Sequence, residues 1–210
     1  MTELALTRIF SVVMYYHFAF LAISIALFGL SASGVYAYLR RRSLDARPTD
    51  SLLARQSLIY AVSTTVALFA LVRLRVGLNY SPSNLALMLA IYALAAIPFF
   101  TGGLVLTLAI SRLAARINVV YAADLTGAAL GCLVLIPLLN LLGAPGVVLV
   151  ATALGAAAAV LFAAAPDRRR IAVLAAAVLA VPLTAQLSGL GTFDVTDTKG
   201  HQGDRVLFSK

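Results

Sequence analysis

The chain has 210 residues, of which 62% are hydrophobic and 11% charged, with a formal net charge of +8. Soluble domains average roughly 45–50% apolar and about 25% charged residues, so a water-soluble fold of this length could not hide the apolar surface. The positive charge comes as short arginine clusters between apolar runs, the pattern of a multi-pass membrane protein and not of a nucleic-acid-binding patch.

Met1–Arg8 is a short lead in which Glu3 and Arg8 can pair at an interface. No Asp, Glu, Lys or Arg occurs from Ile9 to Leu39, and that run exceeds the roughly 20 residues needed to cross a bilayer. Tyr15, Tyr16 and His17 at one end and Tyr36 and Tyr38 at the other form two aromatic belts, placing an uncleaved first span at 12–38. His17 is an interface histidine by this reading, with a ligand or proton-relay role as the alternative. Arg40, Arg41, Arg42, Arg47 and Arg55 follow, with Pro48 and Asp50 marking a loop.

A second span at 56–72 ends at Arg73 and Arg75, which can snorkel to the interface. Asn79–Asn84 (NYSPSN) has turn chemistry. The third span, 85–111, contains Pro98 and the pair Gly102-Gly103. Proline removes a backbone hydrogen bond, so the spacing predicts a mid-membrane kink, either structural or part of a substrate site. Arg112 and Arg116 close it.

The fourth span, 119–142, holds Tyr121–Cys132 (YAADLTGAALGC). Asp124 is the one acid inside the apolar body. Helical spacing puts Tyr121, Asp124, Gly127 and Gly131 on one face, and the G-x-x-x-G pair permits close helix contact. A carboxylate facing lipid is costly, so Asp124 is expected to point into the bundle or toward water. Two roles stay open for it: a cap or pair near the helix start, or binding and proton or ion handling. Cys132 is the only cysteine, which excludes an internal disulfide, and no cysteine/histidine cluster suggests a metal site. Gly143-Ala144-Pro145-Gly146 is a tight turn leading to an alanine-rich fifth span, 147–165. Arg168–Arg170 precede a sixth span at 171–190, interrupted by Pro182.

Residues 192–210 are polar, and their short β-type runs around Lys199–Asp204 predict the start of a β-hairpin. The fold class is therefore all-α: a polytopic membrane bundle of about six helices over 1–191, with a hairpin-like tail. Loops 40–55, 112–116 and 167–170 carry ten arginines, against Arg8, Arg73 and Arg75 on the other side. The ten-arginine side is therefore cytoplasmic, which puts the N-terminus outside and, after six crossings, the tail outside as well.

The segments MTELALTRIFSVVMYYHFAFLAISIALFGLSASGVYAYL, PFFTGGLVLTLAISR, YAADLTGAALGC and NLLGAPG together resemble the membrane region of bacterial spermidine-synthase-like proteins. In that family the membrane region precedes an aminopropyltransferase-type domain of methyltransferase-like Rossmann fold, and Asp197–Phe208 is similar to the hairpin that opens it. The resemblance implies residence in the bacterial cytoplasmic membrane and, as partners, the bilayer and such a domain. Family members usually have another apolar helix ahead of the segment matching Glu3–Arg8. The chain ends where the catalytic domain would begin, with no glycine-rich cofactor loop and no polyamine-binding acids. No catalytic residue, cofactor or metal ligand is carried over, and the chain looks like a truncated membrane half.

Two functions follow as expectations: a membrane-anchoring, substrate-presenting module without catalysis of its own, or a small transporter or half-transporter recognising a cation or polyamine through Asp124. A helical assembly subunit, including a homo-oligomer, is a third. The charge asymmetry is directly testable. Single cysteines in loops 40–55 and 167–170 should resist an impermeant thiol reagent in intact cells, whereas one at Ser81 should react; the opposite labelling would invert the topology.

Overall fold

The computed structural model describes residues 1–13, 17–73 and 82–187. Its elements are α1 (Thr2–Val13), α2 (His17–Leu39), the short α3 (Arg41–Asp45), α4 (Thr49–Arg73), α5 (Pro82–Arg112), a 3-10 turn (Ala114–Arg116), α6 (Ile117–Phe162) and α7 (Ala165–Leu187). Among the described residues there is no strand, and the fold is all-α. Among the described residues, four stretches are long and apolar enough to cross a membrane: Phe20–Leu39, Thr49–Leu71, Leu85–Arg112 and Ala114–Phe162. Apolar side chains stay exposed along them, among them Phe20 at 71%, Leu141 at 80% and Leu161 at 75%. Such a surface suits lipid and not water.

The boundaries differ from the spacing-based ones in ways that packing explains. The first span does not start at residue 12. Thr2–Val13 is a helix of its own, with Ala5, Leu6 and Ile9 buried where it packs on α2 and α6, so the lead is part of the core. The second span gains about two turns from Thr49, because Leu52, Leu53 and Ala54 are buried despite the neighbouring Arg55. The fourth and fifth spans lie within one 49-residue apolar stretch. Its backbone leaves helical geometry at Gly143 (φ 68°, ψ 176°), a combination open essentially to glycine alone. Pro145 follows in the first turn beyond the break, where its missing N–H costs nothing. Residues 171–187 of the sixth span are helical in α7. The predicted β-hairpin tail lies outside the described residues.

Helix contacts give the order of packing. α2 and α5 run parallel: Ala22 and Ile25 share a cluster with Ile91 and Ala95, while Ala37 packs beside Leu104 and Leu108. The two backbones meet through glycine. A Cβ on Gly29 would lie 2.9 Å from the Ala96 carbonyl oxygen, and one on Gly103 would lie 2.5 Å from Ser33 Oγ. α4 sits antiparallel to α5 and to the second half of α6. Tyr60 of α4 fills the space between Gly102 and Gly155, where a Cβ would approach its ring to 3.1 Å and 2.6 Å respectively. The Tyr60 hydroxyl lies 3.1 Å from Thr2 Oγ1, which ties α1 to the same point.

Buried hydroxyls mark the same interfaces. Ser33, Thr64 and Thr152 are almost wholly buried and donate to carbonyls on their own helices at 2.6, 2.8 and 3.1 Å. At the arginine-rich end, Arg112 lies 3.3 Å from Asp45 and donates to the Leu44 carbonyl, so α5 is pinned to the C-terminus of α3.

Replacing Gly155 with leucine drives a side chain into the Tyr60 ring. Thermal unfolding of the detergent-solubilised chain should report a loss of about 1–3 kcal/mol. Gly34→Leu, where a Cβ meets nothing within 4 Å, should leave the melting temperature near the parent value.

An open face on the sixth helix

The first half of α6 is alanine- and leucine-rich and enters directly from the 3-10 turn that ends at Arg116. From Ile117 to Leu130 every residue except Val120 is exposed. Asp124 lies on this free stretch with Tyr121 (57% exposed) and Leu125 (53%) as neighbours. Thr126 donates to the Ala122 carbonyl at 2.7 Å and so leaves no free hydroxyl proton beside the carboxylate.

Asp124, Gly127 and Gly131 fall on one stripe of the helix. A Cβ on Gly127 would meet nothing within 4 Å, whereas one on Gly131 would lie 3.3 Å from Met1 Cγ. The stripe is therefore used for packing at Gly131 and open at Asp124 and Gly127. One turn further on, Leu135 is buried in the cluster formed by Ala5, Leu6 and Ile9.

The remaining sequence candidates separate. Pro98 is fully buried inside α5, which continues as helix through it. Thr101 donates toward the carbonyls of Ile97 and Pro98 at 3.0 and 3.1 Å, within the turn that the proline weakens. Gly102 and Gly103, expected to serve a kink, are contact points for Tyr60 and Ser33. The His17 side chain lies outside the described residues. Cys132 is exposed on α6. Sequence spacing passed over Tyr60 and Gly29, which with Gly103 and Gly155 make the closest interhelical contacts. The isolated glycine in SIALFGL was the only available signal for Gly29.

A groove of about 300 Å³ opens between α4 and α5, lined by Leu58, Ile59, Val62, Ser63, Val66, Leu94 and Ile97. Ser63 and Thr101 lie 3.1 Å apart beside it. Its lining is apolar and Asp124 does not reach it. Among the described residues no three His, Cys, Asp or Glu side chains come together as metal ligands would. In comparisons with known proteins, no family model, curated protein or solved structure matches this chain. The chemistry on offer at the open face is thus one carboxylate, on an apolar helix, available to a cation or hydrogen-bond donor.

Proposed function

We propose that this chain is an integral-membrane anchoring and substrate-presenting module of the kind that precedes an aminopropyltransferase-type domain in spermidine-synthase-like proteins. In this reading it crosses the bacterial cytoplasmic membrane six times, with the two halves of α6 as separate passages around Gly143 and α7 as the last. The observation that carries the reading is the nature of the core. Its buried polar side chains are serines and threonines, most bonded to carbonyls of their own helix, and its helices meet through glycines. Such an interior is built to hold helices together. The sequence resemblance supplies the family, and the polar residues 192–210 supply the junction to a soluble domain.

The transporter reading needs Asp124 to line a path through the bundle. Its position on an outward face of α6, away from the groove between α4 and α5, speaks for the anchoring reading instead.

Nucleoside-cofactor transferases bind through a parallel sheet, a glycine-rich turn and an acid for the ribose. Isothermal calorimetry on the purified 210-residue chain should therefore show no heat of binding with decarboxylated S-adenosylmethionine. A fusion carrying an aminopropyltransferase-type domain after Lys210 should bind it and remain membrane-inserted. Cofactor binding by the chain alone, or a fusion that leaves the membrane fraction, would contradict the reading.

A further inference from the structure

The first half of α6 presents two facts that belong together. It is an apolar helix surface with nothing packed on it from Ile117 to Leu130, and it carries a carboxylate with no ion-pair or hydrogen-bond partner among the described residues. With a rise of about 1.5 Å per residue, Asp124 lies about 12 Å along the helix from Arg116. Arg116 belongs to the arginine-rich end, so Asp124 falls inside a hydrocarbon core of about 30 Å if the helix crosses it. Arg116 is eight residues away, too far along the axis to pair with it. A lone carboxylate at that depth is unfavourable in lipid.

The stripe also shows how it would be covered. Seven residues further along nearly the same face, a Cβ on Gly131 would lie 3.3 Å from Met1 Cγ, at the start of α1. From Gly131 the same stripe runs past Gly127, where a Cβ would meet nothing within 4 Å, to the exposed Asp124. A helix lying there would meet the backbone of α6 closely and come directly over the carboxylate.

We propose that the Asp124–Gly127 face of α6 is the docking site for a transmembrane helix of a partner protein that carries a lysine or arginine level with Asp124. Charge complementarity selects this occupant. A second copy using the same face would bring Asp124 against Asp124. Lipid chains would fill the groove and leave the carboxylate unpaired. A helix with one basic side chain satisfies both the apolar surface and the charge. The inference deepens the anchoring reading by naming what the module holds beside itself, and it shares the premise that α6 lies in the membrane.

The test reads helix association alone and so is independent of any catalytic domain. The full chain, donor-labelled at Ser43→Cys in a Cys132→Ala background, is reconstituted in phosphatidylcholine vesicles. It is mixed with acceptor-labelled leucine–alanine transmembrane peptides that differ only in one lysine at the depth of Asp124. The lysine peptide should associate about tenfold more tightly than its leucine counterpart. Asp124→Asn should remove that difference, and Gly127→Leu should weaken both peptides. Both sites are exposed, so a melting curve matching the parent confirms that each variant is folded. Equal association of the two peptides, or an unchanged lysine preference in Asp124→Asn, overturns the proposal. So does energy transfer between copies of the chain that Asp124→Asn abolishes, since the occupant would then be a second copy.

Discussion

Everything in this fold depends on helix backbones approaching one another without intervening side chains. In lipid there is little hydrophobic gain from pressing two apolar helices together, so association rests on van der Waals contact and interhelical hydrogen bonds. Contact of that kind needs small residues at the crossing points. Gly29 and Gly103 provide them between α2 and α5, and Gly102 and Gly155 provide them on either side of Tyr60. Tyr60 is large enough to touch α5 and α6 together, and its hydroxyl reaches α1. One aromatic ring thus fixes the spacing of four helices.

The polar residues of the interior follow from the same constraint. A buried hydroxyl in a bundle must find an acceptor, and the i−3 or i−4 carbonyl of its own helix is always within reach. Ser33, Thr64 and Thr152 take that route, which makes them compact packing residues. Charge is confined to the rim. There Arg112 joins Asp45 and the last carbonyl of α3 region, and Arg41 lies 3.6 Å from the same carboxylate. Asp124 is the exception, a carboxylate placed along an apolar helix instead of at its end.

Hydropathy made the all-α character and the third membrane-length stretch visible in advance, because Leu85–Arg112 is an unbroken apolar run closed by arginine. The break after Leu142 was legible too, since Gly143-Ala144-Pro145-Gly146 combines a residue free to adopt positive φ with one that favours a first helical turn. The role of Thr2–Val13 was not. Glu3 and Arg8 made it look like an interfacial lead, while burial depends on which of its faces meets α2 and α6, something composition does not encode. At the candidate face, spacing correctly grouped Asp124, Gly127 and Gly131 on one stripe. It could not say that α1 covers only the Gly131 end, because that follows from tertiary packing. Gly29 was a single glycine with no repeat to draw attention to it, and the Gly102-Gly103 pair, read beforehand as part of a kink, forms interhelical contacts.

The central claim is that α2 and α5 lie parallel with their backbones in contact at Gly103. Oxidative cross-linking of Ser33→Cys with Gly103→Cys in membranes tests it directly. A Cβ built at position 103 would fall 2.5 Å from Ser33 Oγ, so the two positions face each other in direct contact, as residues joined by a disulfide must. The account predicts rapid cross-linking of this pair and none between cysteines at positions 33 and 127. Failure of the first pair to cross-link, or cross-linking of the second, would contradict it.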